Sequence, residues 1–369
     1  MTDPAEGLDA AAVAPMVDPD RLRLARELRG WTQAEVADRS GGAFTPAALS
    51  QLERGHTRPL PATLLAIAQV TNCPLSFFVA RPGDQRREGF FRSLQATSAR
   101  ERRRHLADAR LLHELITVIE EHVNLPELQV PRYAPGPHSP EEIETVAERT
   151  RHAWRLDDGP LPNVVRVLER HGIVVVRASS FSREVDAFSV LHEGRPIIVL
   201  GTEKGVTARS RFDAAHELGH LVLHDDSDAG ERETENEAHQ FAAAFLMPAS
   251  GIRSELPATA DWTELMRLKV RWRVSIAALL RRALTLDVMP KHQYTNAMKT
   301  LSARGWRTRE PGDEKLGTLE SPVLLRLALE GLAENGIDLD ALADETSLST
   351  DDVRRLIEVT RDPRPRIRI

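Results

Sequence analysis

Two histidines and a glutamate stand at a spacing that can hold and use a metal ion. They lie in the pentapeptide His216-Glu217-Leu218-Gly219-His220, inside a stretch whose apolar residues recur at helical spacing. Histidines at positions i and i+4 share one helix face, so His216 and His220 can bind one zinc ion. Glu217 directly follows the first histidine and can take a proton from water activated there. The pattern predicts metal-dependent hydrolysis.

Regular elements on both sides of this pentapeptide are predicted to position it. Three short β-runs precede it, at 173–177, 188–191 and 196–200, and helices are predicted at 208–223 and 234–246. Within and around them, three segments resemble the ImmA/IrrE family of zinc metallopeptidases: Asp186-Ala-Phe-Ser-Val, Arg211-Phe-Asp-Ala-Ala-His-Glu-Leu-Gly-His and Glu235-Asn-Glu-Ala-His-Gln-Phe-Ala-Ala-Ala-Phe-Leu-Met-Pro. The resemblance covers about residues 140 to 310. It implies a zincin-like domain with endopeptidase activity, in which Glu217 is the general base.

The resemblance also implies that a glutamate of the second helix completes the metal shell of His216 and His220. Three glutamates compete for this role, namely Glu233, Glu235 and Glu237. Glu235 is the predicted ligand because it projects closest to the apolar stripe of its helix and fits the family's Glu-x-x-Ala spacing; Glu237 is the alternative. A shell of two histidines and a glutamate favours Zn²⁺ and also accepts Mn²⁺.

Three neighbouring residues carry secondary expectations. His224 lies one turn after His220 and is expected to face solvent at the end of the helix rather than to bind the metal. Arg211 is a candidate oxyanion stabiliser, but an arginine at this distance from a ligand is more often a structural ion-pair partner. His239 stands where the family often has asparagine, so it can alter how the metal-binding histidines are oriented.

The segment 20–78 reads as short amphipathic helices separated by glycines. Leu22-Arg-Leu-Ala-Arg-Glu-Leu-Arg-Gly-Trp-Thr-Gln-Ala-Glu-Val-Ala-Asp and Ala48-Leu-Ser-Gln-Leu-Glu-Arg-Gly within it resemble the Xre/Cro-type helix-turn-helix family. Thr32 can cap the second helix, with Gln33 placed to hold a DNA phosphate, and the third helix would enter the major groove. The expected base-reading residues are Thr45, Ala47, Ala48 and Gln51, and the expected phosphate contacts are Arg54 and Arg58. The long link 41–44 leaves the start of the third helix open.

The length and composition of the chain predict how many domains it has and where they lie. The 369 residues predict two or three domains, and a net charge of -6 hides a basic stretch at 81–104 and an acidic one at 231–237. No apolar run approaches the ~18 residues of a membrane span, the N-terminus lacks a basic signal-peptide region, and the only cysteine is Cys73. A cytoplasmic protein is expected. The predicted parts are a disordered leader (1–17), a helix-turn-helix domain (18–80), a basic linker and connector helix (81–135), a metallopeptidase domain (136–310) and a C-terminal helical segment with a basic tail (311–369).

The sequence therefore predicts a mostly helical α+β protein: a four- or five-helix DNA-binding domain, a linker helix, a zincin-like domain with a small sheet, and a helical C-terminal cap. The first functional hypothesis is a bacterial, nucleoid-associated regulator that binds a double-stranded DNA operator and cleaves a protein substrate, plausibly a repressor. The alternative is a transcription factor whose peptidase-like domain is a catalytically silent sensor. A third hypothesis has the helical domain hold a protein partner instead of DNA. The connector helix is expected to pack internally, with homodimerisation as its alternative role.

Overall fold

The computed structural model describes residues 9–79, 98–134, 136–178, 187–191, 195–201, 206–224 and 232–358. The predicted linker 81–92, the first eight residues of the leader, and the C-terminal tail 361–369 lie outside these ranges. The chain forms two compact units. Unit 1 is discontinuous, with its described residues at 9–79, 98–125 and 325–358, and unit 2 holds the chain between Pro126 and Leu324.

The first part of unit 1 is a bundle of short helices. They are α1 (Ala10–Val13), α2 (Pro19–Leu28), α3 (Gln33–Arg39), α4 (Pro46–Glu53) and α5 (Pro61–Thr71), followed by a 3₁₀ turn (Leu75–Phe78). Side-chain caps set several of the starts: Thr32 and Glu35 form a reciprocal capping box at α3, and Thr45 caps α4. A buried ion pair between Arg26 and Glu53, with N···O of 2.6 Å, ties α2 to α4.

The prediction of a disordered leader is wrong for residues 9–17, which include α1. Residues 10–13 form a helical turn capped by Asp9, and Val17 pairs with Val79 in an isolated antiparallel bridge. Val13 is fully buried, and Val17 is also buried. Apolar side chains at helical spacing therefore anchor this segment against α5, although its Ala-, Pro- and Asp-rich composition suggested disorder.

Unit 1 is completed by the long α6 (Ala99–His122) and by three helices from the end of the chain, α15 (Leu324–Glu334), α16 (Leu339–Thr346) and α17 (Thr350–Glu358). The apolar stripe of α6 is buried by α2, α16 and α17 of the same chain, as expected of a connector helix that packs internally. Ion pairs that join the C-terminal helices to the rest of the unit include Arg29 with Asp352 at 2.6 Å and Arg355 with Asp108 at 2.6 Å.

Unit 2 contains the small sheet that the sequence predicts. Its strands are β1 (Val174–Ala178), β2 (Ala187–Leu191) and β3 (Pro196–Gly201), in the order β1-β3-β2. β1 runs parallel to β3, with Val174 opposite Ile197, and β2 runs antiparallel to β3, with Ser189 opposite Ile198. β2 is thus at an edge of the three-stranded sheet.

Helices surround this sheet and supply most of the core. They are α7 (Pro140–Ala153), α8 (Val164–Arg170), α9 (Thr207–Leu223), α10 (Arg232–Leu246), α11 (Ala249–Ile252), α12 (Trp262–Trp272), α13 (Ile276–Thr285) and α14 (Lys291–Ala303). α9 packs against β2 and β3 on one side and α10 on the other, and α10 also packs on α7. Among the described residues, no helix combines the length and apolarity that a membrane crossing requires.

Candidate metal centre

The close packing of α9 and α10 brings the metal-binding residue types together. Gly219 makes this approach possible, since a Cβ atom at this position would lie 3.1 Å from the Cα atom of Ala238. Ala238, Phe241 and Ala242 are fully buried against α9. Glu235 lies one turn before Ala238, so the packing that buries Ala238 carries the Glu235 carboxylate toward the histidines of α9.

His216, His220 and Glu235 converge on one point. The two Nε2 atoms of the histidines lie 3.0 Å apart, and the Glu235 carboxylate oxygens lie 3.3 Å from His216 and 3.4 Å from His220. Tetrahedral zinc with bonds of about 2.0–2.1 Å holds its ligand atoms about 3.3 Å from one another. These three side chains form the cluster of possible ligands within the described residues, and their donor atoms and spacing fit a Zn²⁺ site.

The electrostatics of the cluster suit a cation. Burial lowers the pKa of His220 to about 4, which keeps its imidazole neutral and able to coordinate. Hydrogen bonds with His216 and His220 lower the pKa of Glu235, so its carboxylate is ionised. A ring nitrogen from each of two histidines and one carboxylate oxygen are the donor set of many hydrolytic zinc sites.

Glu217 lies beside the cluster, in contact with the sheet. Its side chain is buried, and its carboxylate accepts a 2.7 Å hydrogen bond from the Ser189 hydroxyl on β2. Burial raises the pKa of the Glu217 carboxyl, while His216 and the Ser189 hydrogen bond oppose this rise. Sequence reasoning did not single out Ser189, although it lies in the Asp186-Ala-Phe-Ser-Val segment that carries part of the resemblance.

A chain of hydrogen bonds supports His220 from behind. Its Nδ1 atom lies 3.1 Å from Nδ1 of His224, and Nε2 of His224 lies 3.2 Å from the Glu237 carboxylate. Glu237 also accepts a 3.0 Å hydrogen bond from the backbone N–H of His138 and lies 3.0 Å from its ring Nδ1. The expectation that His224 faces solvent is therefore wrong: the chain turns out of helix α9 at this residue, and its ring is buried against Glu237.

This arrangement separates the roles of the competing glutamates. Glu235 reaches both histidines, whereas Glu237 is engaged by His138 and His224, and Glu233 is exposed. Glu235 stays the predicted third ligand, and Glu237 acts on His220 through His224. Arg211 forms a buried ion pair with Glu320 and donates a 2.7 Å hydrogen bond to the carbonyl of Leu161, as expected of a structural residue.

The residues predicted to contact DNA lie on the surface of unit 1. The glycines of the long link have positive φ angles (Gly41 65°, Gly42 86°), and α4 begins directly after Thr45. The side chains predicted for base or phosphate contact from the third helix onward are exposed: Thr45, Ala47, Ala48, Gln51, Arg54 and Arg58.

Local hydrogen bonds engage several of these side chains. The Thr45 hydroxyl caps α4 by accepting from the Ala48 N–H at 3.1 Å, so base contact from this residue is left to its methyl group. Gln51 Oε1 lies 2.7 Å from His56 Nδ1. Gln33 is half-buried and donates its side-chain amide to Glu53 at 2.9 Å, so its backbone N–H is the group left for a phosphate.

Comparisons with known proteins agree with this geometry. A family model described as the IrrE N-terminal-like domain, a peptidase family, matches residues 168–284, which include β1 to β3, α9 and α10. A helix-turn-helix family model matches residues 22–78. The chain joins a helix-turn-helix domain to an IrrE N-terminal-like domain. This order supports a DNA-binding regulator that carries a metallopeptidase-like domain.

A curated relative supports the assignment of the DNA-binding half. The chain is 38% identical over 61 residues to the HTH-type transcriptional regulator SutR of Escherichia coli (strain K12). The similarity spans 16% of this chain and 33% of that protein. The 61 matched residues are close in number to the 22–78 segment that the helix-turn-helix family model covers, and this chain spans about a third of that protein.

Proposed function

We propose that this protein is a bacterial, cytoplasmic transcriptional regulator that binds an operator through unit 1 and cleaves a regulatory protein, such as a repressor, through unit 2. The observation that carries the proposal is the convergence of His216, His220 and Glu235 next to the buried carboxylate of Glu217. A DNA-binding unit in the same chain would bring the peptidase unit to the nucleoid, where DNA-bound repressors concentrate.

The residues of the site have distinct parts in this proposal. His216, His220 and Glu235 would hold Zn²⁺, or Mn²⁺, which supplies Lewis acidity toward a peptide carbonyl and toward water. Glu217, held by Ser189, receives the proton of the attacking water and delivers it to the leaving amine. Among the described strands β2 pairs only with β3, and its other edge, beside Glu217, would hold an extended substrate by strand addition.

Cleavage of a peptide library by the full-length, zinc-loaded protein tests the proposal. The matched control is Glu217→Gln, which keeps the size of the side chain and leaves the three metal-binding residues in place. The wild type is expected to cleave, and the variant to lose at least about a hundredfold in rate while it keeps zinc. Equal cleavage by both proteins would contradict the role of Glu217. Absence of cleavage in the zinc-loaded wild type would favour a catalytically silent sensor.

A further inference from the structure

A large cavity in unit 2 is lined by residues of α7, α9, α10 and α13 and of the segment 307–313. Its volume is about 760 Å³, and Phe212, Asp213 and His239 line the end nearest the cluster. The ring of His239 lies 4.4 Å from the ring of His216, centroid to centroid. One end of the cavity therefore lies close to the predicted metal site.

The lining of the cavity combines apolar side chains, which we call its floor, with charged side chains. Residues of α7, α9, α10 and α13 contribute the floor, namely Ile143, Ala208, Phe212, Ala243, Ala277 and Ala278. Four arginines and four carboxylates also line it: Arg209, Arg281, Arg282, Arg307, Glu144, Asp213, Glu310 and Asp313. A mixed surface of this kind can bind a side chain with an aliphatic stem and a charged end.

Most of the carboxylates in the cavity are already paired. Glu144 forms an ion pair with the buried Arg282. Glu310 and Asp313 both contact the buried ammonium of Lys269, at 2.8 Å and 2.5 Å. Asp213 lies at the end of the cavity near the metal-binding histidines.

Two arginines of the cavity are uncommitted. Arg209 and Arg281 form no ion pair with any residue in the part of the chain that the structure describes, and Arg307 donates a hydrogen bond only to the Ser302 hydroxyl, at 2.8 Å. Arg281 is exposed and Arg209 half-exposed, so both can reach a ligand. With Lys269 included, the four arginines make five positive charges against the four carboxylates of the cavity. The side chains of Arg209 and Arg281 therefore give the part of the cavity away from the metal cluster an excess of positive charge.

The distance between Arg209 and His216 indicates where on a peptide substrate a carboxylate bound by Arg209 would lie. Arg209 precedes His216 by seven residues on one helix, which is a rise of about 10 Å. An extended peptide covers this distance in about three residues. A carboxylate bound by Arg209 and Arg281 would thus belong to a substrate residue about three positions from the bond at the metal.

We propose that this cavity is a specificity subsite that receives the side chain of an aspartate or glutamate of the peptide substrate. The ligand carboxylate pairs with Arg209 and Arg281, and the stem packs on the alanines of the floor. This inference rests on the proposed peptidase function, since it assigns the substrate class of the same site.

Peptide binding to the full-length, zinc-loaded Glu217→Gln protein tests the subsite without cleavage. The probes are fluorescent random peptides that differ only in one fixed central residue, Glu, Gln or Lys. The Glu peptides are expected to bind about tenfold more tightly than the Gln peptides and the Lys peptides to bind most weakly. Adding Arg281→Glu should abolish this preference, and Arg209→Gln should weaken it. Arg149→Glu, an exposed charge reversal on α7 outside the cavity, should leave it unchanged.

Equal binding of the three peptide sets, or an equal effect of Arg281→Glu and Arg149→Glu, would overturn the assignment. Succinate bound with the same dependence on Arg281, without any preference among the peptides, would also overturn it in favour of a small-molecule site. A parallel cleavage assay with the wild type separates the two proposals. A Glu preference without cleavage would remove the peptidase function but keep the carboxylate subsite.

Discussion

The hydroxyl of Ser189, on an edge strand, donates a 2.7 Å hydrogen bond to the buried carboxylate of Glu217, on the metal-binding helix. This bond fixes the orientation of the predicted general base relative to the strand on which a substrate would lie. One side chain thus links the proposed general base to the proposed substrate-binding edge.

We predict that Ser189→Ala lowers the rate of peptide cleavage about tenfold, which corresponds to the loss of one hydrogen bond to a charged group, about 1.5 kcal/mol. Zinc content should stay the same, because Ser189 contacts none of the three predicted ligands. Ser189→Thr keeps the hydroxyl and should retain most of the activity. Unchanged cleavage by Ser189→Ala would show that Glu217 is oriented by other contacts.

The hydrogen-bonded chain behind His220 leads to a prediction about metal affinity. His224→Ala removes the partner of the outer ring nitrogen of His220, so zinc affinity should fall about 10–100-fold. Glu237→Gln should have a smaller effect in the same direction, since it acts through His224. Competition with a zinc chelator measures both. The control is His292→Ala, an exposed histidine on α14, and equal affinities of His224→Ala and this control would refute a role in positioning His220.

The ion pair between Arg29 and Asp352 is predicted to stabilise unit 1. The Arg29 and Asp352 side chains are 17% and 3% exposed, so Asp352→Asn leaves a mostly buried guanidinium without its charge partner. The cost should be about 3 kcal/mol at neutral pH. Urea unfolding followed by hydrogen exchange of α2 amides measures it. Asp351→Asn, at a 77% exposed side chain on the same helix, should cost almost nothing.

The same ion pair predicts how the stability of unit 1 depends on pH. Burial opposes the charge of Asp352, but Arg29, with Ser349 and Arg355, outweighs it and lowers its pKa. The stabilisation is therefore present above the unfolded-state pKa of about 4 and is lost as the pH falls through the folded-state value. In Asp352→Asn protein, the free energy of unfolding of unit 1 should not show this decrease at acid pH. A parallel decline of both proteins below about pH 4 would contradict the assignment to Asp352.

Two exposed residues of unit 1 should affect DNA binding in different ways. Arg54→Ala should weaken binding to random duplex DNA and reduce the slope of log affinity against log salt by about 1, as the loss of one phosphate contact does. Gln51→Ala should keep that slope and relax the preferred sequence in a selection from random duplexes, at about 1–3 kcal/mol for one base pair. A reduced salt slope for Gln51→Ala and a relaxed sequence preference for Arg54→Ala would show instead that Gln51 contacts phosphate and Arg54 contacts a base.

Sequence patterns predicted the parts of the molecule that depend on local periodicity and on motifs. The three strands, α9 and α10 lie within a few residues of their predicted positions because apolar spacing and turn residues act over short distances. The pairing of His216 with His220 follows from helix geometry, and the prediction of Glu235 combined the apolar stripe of α10 with the Glu-x-x-Ala spacing of the family that this segment resembles. These features need no knowledge of the rest of the chain.

Other features depend on contacts between residues far apart in sequence. His224 looked like an exposed helix end because nothing near it signals that Glu237 and His138 cover it. The C-terminal helices read as a separate cap, whereas the pair Arg29–Asp352, 323 positions apart, places α17 in unit 1 with the DNA-binding helices. Long-range packing and charge pairing of this kind leave no periodic signal in the sequence.

Metal analysis of the purified full-length protein tests the central claim most directly. Wild type and Glu217→Gln should each contain about one zinc ion per chain, whereas His216→Ala and Glu235→Ala should contain almost none after the same dialysis. Folding of the variants is checked by circular dichroism and thermal unfolding of the metal-free proteins. Wild-type protein that takes up no zinc or manganese on reconstitution, or Glu235→Ala protein that keeps the metal, would contradict the site.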